Sequence, residues 1–286
     1  MLAKLPEVKK APIAPESLLD AACKEIPPLI QETIGIDFLE MMKLLGTRTA
    51  QLHLALASDT ENPDFSPEPF TLLYQRSRYQ SMQGLTKKVF DTFKKSQKTL
   101  PEGQKEKAAK FLALEKEIIN RFSIIFKEKI IAMKTRIHGD YHLGQLLFTG
   151  NDFASIDFEG EPMRTLNERR LKKSPLKDIA GMIRSLHYAA YTSLMKHQAL
   201  KPANPQELEP WMPLWYKYTA GTFLNSYLET AGNAVFVPSD RKQLENLLEI
   251  YMLEKAVYEL GYELNNRPDW VFIPMNGIAN ILKKEL

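Results

Sequence analysis

Between Arg136 and Pro162 the chain reads R-I-H-G-D-Y-H-L-G-Q-L-L-F-T-G-N-D-F-A-S-I-D-F-E-G-E-P. Asp140 follows a histidine and a glycine, Gln145 stands five residues later, and Asp157 closes an apolar run. A transferring phosphoryl group needs little covalent help, so a protein that moves one must neutralise its charge and align the nucleophile. A carboxylate at Asp140 can orient an acceptor hydroxyl and take its proton, an effect of about 10² to 10⁴ in rate. The amide oxygen of Gln145 and the carboxylate of Asp157 are hard donors of the kind Mg²⁺ prefers.

The spacing matches the phosphoryl-transfer pattern H-R-D-x-x-x-x-N followed by D-F-G, with His138-Gly139-Asp140, then Gln145, then Asp157-Phe158-Glu159 in those places. Two other readings stay open from the residues alone. His138, Asp140 and His142 alternate, and on an extended strand they would share one face, as a transition-metal site requires. Gly139 and Gly144 favour a turn instead, and no further His/Asp cluster supplies the remaining ligands. Alternatively, His138 and Asp140 only hydrogen-bond a tight turn, a reading weakened once Gln145, a hairpin and Asp157 are counted together.

The elements that must position these groups are mostly helices. Met41, Leu45, Leu52 and Leu56 recur at spacings of four and seven, and Ile118, Phe122, Phe126 and Ile130 step by four, so each set predicts one apolar helical stripe. The strand signal is confined to L-L-F-T-G-N-D-F-A-S-I-D-F, two short apolar runs around a turn near Gly150. Ser174 and Pro175 open another helix as N-cap and first residue. D-T-E-N-P-D-F-S-P-E-P-F is a loop. Trp211 and Trp215, one turn apart, read as packing, and R-R-L-K-K (169–173) as a solvated basic loop or a phosphate contact. The expected fold is mainly α with a small β-hairpin, a linker over 1–17 and one lobe over 18–286.

With 286 residues, 44% of them hydrophobic, the chain can bury a substantial core. A net charge of +3 with 26% charged residues is near balance, and no basic tract is interleaved with aromatics, so nucleic acid is not a favoured partner. The single cysteine, Cys23, reads as a buried apolar residue and offers neither a disulfide nor a zinc framework. No apolar signal core opens the chain and no run approaches the roughly 18 apolar residues of a membrane span. These features point to a cytoplasmic protein with no membrane partner.

H-G-D-Y-H-L-G-Q-L-L, I-D-F-E-G-E-P, E-R-R and S-P-L-K-D-I-A-G-M-I-R-S together resemble the maltokinases, members of the aminoglycoside-phosphotransferase-like, protein-kinase-like superfamily. L-L-G-T-R-T-A-Q-L-H-L-A-L-A-S-D, Y-Q-S-M and L-E-K-A-V-Y-E-L-G-Y-E-L-N-N-R-P-D-W extend the likeness from about Ala21 to the C-terminus. The resemblance implies ATP-dependent phosphorylation of maltose to maltose 1-phosphate, in carbohydrate and α-glucan metabolism. Asp140 would be the base, Gln145 and Asp157 the Mg²⁺ ligands, and Lys255, Tyr258, Glu259 and Tyr262 the sugar contacts. Those four also lie at i, i+3, i+4 and i+7, opposite an apolar stripe of Ile250, Leu253, Val257, Leu260 and Leu264. Tyrosine rings suit the C–H face of a sugar, although a solvated face with an ion pair explains the pattern too. Asp178 is expected to anchor the catalytic loop that contains His138, or else to sit favourably at a helix start.

A kinase of this kind also needs a lid for the nucleotide phosphates. No two of the 13 glycines are separated by a single residue, and no G-x-x-x-x-G-K-[ST] occurs. The chain is therefore expected to be a C-terminal lobe that lacks its N-terminal ATP-binding lobe, inactive alone, from a longer protein such as a trehalose synthase/maltokinase fusion. A phosphotransferase for another acceptor, such as an aminoglycoside, and a non-catalytic interaction module are the alternatives.

Overall fold

The computed structural model describes residues 12–96, 102–161, 165–200 and 209–286. Residues 1–11 of the expected linker and Pro162 lie outside the described residues. The chain is predominantly helical and divides into two compact units, one from Met1–Pro67 and Thr135–Ala234, the other from Glu68–Lys134 and Val235–Leu286.

The first unit is built on the helices Leu18–Cys23, Pro28–Ile34, Ile36–Leu56, Leu176–Leu200 and Met212–Ala231. Ser17 caps the first of them, its Oγ accepting from Asp20 N–H at 3.1 Å. The Ile36–Leu56 helix buries Leu39, Met42, Leu45, Gly46, Thr49, Ala50 and His53. Of the stripe expected there, only Leu45 is fully buried, while Met41, Leu52 and Leu56 are half-buried. The true face carries Thr49 and His53, polar residues that an apolar periodicity leaves out. At one end Ile30, Ile34, Leu39, Trp211, Leu214 and Tyr218 form a cluster, and Trp215 stacks on Phe38 at 5.7 Å, so both tryptophans pack as expected. Cys23 is exposed, contrary to expectation, because it falls in the last turn of a six-residue helix whose buried face is Leu19, Ala21 and Ala22.

The same unit holds the hairpin. Leu146–Phe148 pairs antiparallel with Phe153–Ser155, and Gly150, at φ +100°, turns the chain between them. Thr149 N–H closes the turn onto the Asp152 carbonyl at 2.9 Å. Arg48 pins the tip: its Nε and Nη2 each lie 2.8 Å from an oxygen of Asp152. That hydrogen bond holds the Asp152 carboxyl below the usual carboxylate range.

The second unit packs the helices Leu72–Ser96, Glu102–Leu112, Glu115–Ser123, Arg241–Asn266 and Phe272–Leu282. Phe111 stacks on Phe90 at 5.2 Å and meets Phe93 edge-on at 5.3 Å. Inside it Arg78 pairs with Glu254, both nearly sealed from solvent. Burial, the largest single influence, lowers the Arg78 pKa, but the Glu254 charge, the Tyr74 and Tyr251 phenols and the hydrogen bond to Glu254 together outweigh it and raise it. Burial pushes the neighbouring Tyr74 phenol up to about 12. The apolar run expected over Ile118–Ile130 is not one helix: it stops at Ser123, passes through a short 3₁₀ turn at Ile124–Phe126, and buries Ile125 where Phe126 was expected. Glu68–Pro69 also pairs with Met133–Lys134, a second strand pair that two-residue runs could not announce. Among the described residues no helix is long and apolar enough to cross a membrane.

Candidate active site

The Leu176–Leu200 helix starts where Ser174 and Pro175 forecast, one residue late, with Leu176 N–H donating to Ser174 Oγ at 3.3 Å. Its first turn carries Asp178, which is 2% exposed. Asp178 Oδ2 accepts from His138 N–H at 2.7 Å, and Oδ1 from Gly139 N–H at 3.0 Å. Gly139 has φ +90°, a conformation open to glycine at little cost. One turn further along the helix, Gly181 lets the loop backbone come close: a Cβ there would stand 2.6 Å from the Tyr141 carbonyl oxygen. Ser185 Oγ then accepts from Leu143 N–H at 3.1 Å. One helix face thus holds the loop on both sides of Asp140.

A buried polar network backs this grip. His53 Nε2 lies 3.2 Å from Asp178 Oδ2, and its Nδ1 lies 3.0 Å from the Tyr227 hydroxyl. A carboxylate can only accept, so Nε2 carries the proton and Nδ1 accepts from Tyr227. Burial, then the charge of Asp178, pushes the Tyr227 phenol well up, which keeps it a donor. Tyr141 meets Thr49 Oγ1 at 2.9 Å, tying the loop to the Ile36–Leu56 helix. His53, Tyr227, Thr49 and Tyr141 were not anticipated. The signal was Thr49 and His53 at i and i+4 inside a helix with buried neighbours.

His138 is 1% exposed, with Nε2 donating to the Ile156 carbonyl at 2.8 Å and its ring between Tyr141 and Phe158. His142 instead faces the backbone, Nδ1 accepting from Gly144 N–H at 3.0 Å, with Nε2 3.9 Å from Asp140. The two imidazoles therefore turn to different partners. Ile156 N–H donates to the Gln145 carbonyl at 3.0 Å, which joins the end of the hairpin to the loop. Asp157 follows in the left-handed region at φ +65°, and the Gln145 amide donates to its Oδ2 at 3.0 Å. A non-glycine residue at positive φ is unusual and marks an imposed backbone geometry. Asp140, Gln145, Asp157, His138 and Asp178 all belong to the first unit.

Lys255, Tyr258, Glu259 and Tyr262 belong to the second. They form the outer face of the Arg241–Asn266 helix, whose inner face buries Ile250, Leu253, Val257 and Leu260; Leu264 is half-buried. Lys255 Nζ stands 5.0 Å from the Tyr258 ring centroid, and Arg267 covers the Tyr262 ring at 5.4 Å. In the basic stretch, Lys172 is buried and its Nζ donates to the Pro63 carbonyl at 2.6 Å, so the run is not uniformly solvated.

The fold defined by these elements is shared with solved kinase structures. Solved glucosamine kinase structures superpose on 85% and 93% of this chain with TM-scores of 0.67 and 0.69, at 22% and 20% identity. The second of these is a complex with glucosamine, ADP and inorganic phosphate. Among curated proteins, glucosamine kinases of Streptacidiphilus jiangxiensis and Mycolicibacterium smegmatis match over 150 residues each, about half of this chain, at 25% and 30% identity. The matches span 32% and 34% of those curated relatives, and 53% and 59% of the solved chains. No family model matches.

These relatives correct the expected partner. Maltose is overturned as the acceptor because the matched kinases are named for an amino sugar, and they indicate no trehalose synthase partner.

Proposed function

We propose that this chain carries the catalytic and acceptor-binding lobe, the C-terminal one, of an ATP-dependent kinase that phosphorylates a hydroxyl of an amino sugar, glucosamine being the acceptor to test first. The observation that supports it most is the pairing of Gln145 with Asp157, joined to a loop whose backbone Asp178 grips, in a fold shared with glucosamine kinases.

Asp140 orients the acceptor hydroxyl and takes its proton as the oxygen attacks the γ-phosphorus of ATP. The bond from that phosphorus to the bridging oxygen breaks, and ADP leaves. His138 and Asp178 position the loop and do not touch the reacting atoms. Gln145 and Asp157 fit Mg²⁺ by their chemistry: a carboxylate and an amide oxygen are hard donors that would hold the ion together with water and phosphate oxygens. Among the described residues no three His, Cys, Asp or Glu side chains cluster, so a site made of protein ligands alone is not the arrangement offered. When bound, the ion neutralises charge on the phosphates. Gln145 presents its amide oxygen by a flip that leaves the side chain in place.

Lys255, Tyr258, Glu259 and Tyr262 are assigned to the acceptor. Tyrosine rings cover the C–H face of a sugar, and the Glu259 carboxylate suits an ammonium group. Calorimetric titration of the chain with glucosamine, N-acetylglucosamine and an aminoglycoside tests the assignment, alongside Glu259→Gln. Glucosamine is expected to bind, the uncharged N-acetyl form to bind weakly, and the variant to lose the distinction. Absence of glucosamine binding would overturn the acceptor, and tighter aminoglycoside binding would replace it.

A further inference from the structure

Within the first unit lies a cavity of about 560 Å³ that none of Asp140, Gln145 and Asp157 lines. Its wall brings Arg136, at the entry to the catalytic loop, together with Arg169 and Arg170 of the short Leu166–Arg170 helix. Arg136 donates to the Arg170 carbonyl at 2.9 Å and lies over the Phe65 ring at 5.8 Å, which fixes its guanidinium at the wall. Arg169 stands 4.0 Å from Glu159, the anionic side chain of the lining. The Arg170 side chain is exposed and makes no hydrogen bond or ion pair among the described residues. Among the residues that line the cavity, three are cationic and one, Glu159, is anionic.

His138 lines the same cavity and is 1% exposed. With Nε2 committed to the Ile156 carbonyl, its buried Nδ1 has no hydrogen-bond partner among the described residues.

Guanidinium forks match the oxygens of a phosphate, and the Phe65 and Phe158 rings offer an apolar surface to whatever bears it. The volume is that of a small-molecule site. The geometry points to a binding site for a phosphomonoester of a small organic molecule, of sugar-phosphate size, separate from the phosphoryl-transfer residues. Phe158, Glu159 and Gly160 line it and follow Asp157 directly in the chain.

The test is calorimetric titration of the chain with glucose 6-phosphate, inorganic phosphate and glucose at constant ionic strength. It is run on the unaltered protein and on Arg136→Gln, Arg170→Gln and Gln145→Ala. Glucose 6-phosphate is expected to bind saturably and more tightly than phosphate, and glucose not at all. Either arginine substitution should weaken binding about tenfold or more, whereas Gln145→Ala should leave it unchanged. No saturable binding, indifference to both arginines, or loss in Gln145→Ala would overturn the site, and equal binding of phosphate and ester would overturn the organic-ester assignment. None of these readouts involves glucosamine or phosphoryl transfer, so the site and the acceptor reading fail separately.

Discussion

Asp178 accepts two backbone N–H groups and faces the His53 imidazole from a position that is 2% exposed. Asp178→Ala is expected to strand all three donors and lower stability by about 3 kcal/mol or more, read as a reduced urea midpoint. Asp140→Asn should instead reduce turnover by about 10² to 10⁴, read as ADP released in the native polypeptide carrying this segment. Equal effects of the two substitutions on stability and turnover would dissolve the distinction between positioning and chemistry. His187 gives a pH signature. Burial first, then the Arg184 charge, lowers its pKa well below the ordinary histidine value, and neither ring nitrogen has a hydrogen-bond partner among the described residues. An unfolded histidine takes up a proton near pH 6.5, as a general approximation, while the folded one refuses it, so stability is full above that pH and falls as acid is added. His187→Phe should flatten the fall in urea midpoint between about pH 7.5 and pH 5; an unchanged slope would refute the assignment. Asp140, Gln145, Asp157 and Asp178 were legible because they sit in one contiguous motif and the next helix start. His53 was not, being 125 residues from the aspartate it touches.

At the scale of elements, the catalytic loop is held by close approach as much as by hydrogen bonds. Gly181→Ala would drive a methyl to 2.6 Å from the Tyr141 carbonyl, and the loop or helix must shift. The expected cost is about 1 to 3 kcal/mol by thermal melting, with faster amide exchange at Leu143. A melt equal to the parent's would show that the helix yields freely. The hairpin and the helix that begins beside Ser174 were readable because turn and cap residues declare themselves locally. The buried face of Ile36–Leu56 was misread because a helix that carries a polar network inward presents Thr49 and His53 where periodicity seeks aliphatic side chains. The short strands at Glu68–Pro69 and Met133–Lys134 left no signal, since two residues carry no period.

At the scale of the molecule, each unit draws on two separated stretches of chain. Such an arrangement cannot be read from local pattern, because which stretch closes on which depends on contacts far apart in sequence. In the second unit the Arg78–Glu254 pair is the clearest of these, and Glu254→Gln would leave a guanidinium buried without its counter-charge. About 3 to 5 kcal/mol of stability should go with it, measured by urea unfolding; a loss under about 1 kcal/mol would mean that water reaches Arg78. The same segmentation governs the order of events during synthesis. The 100 residues of Thr135–Ala234 are translated between the two parts of the second unit. At ordinary ribosome speeds that is a wait of about 5 to 20 s, during which Arg78 has no Glu254 and Val89 lacks the close-packed Gly261. A nascent chain paused anywhere in that interval offers chaperones a half-made unit whose partner has yet to leave the exit tunnel.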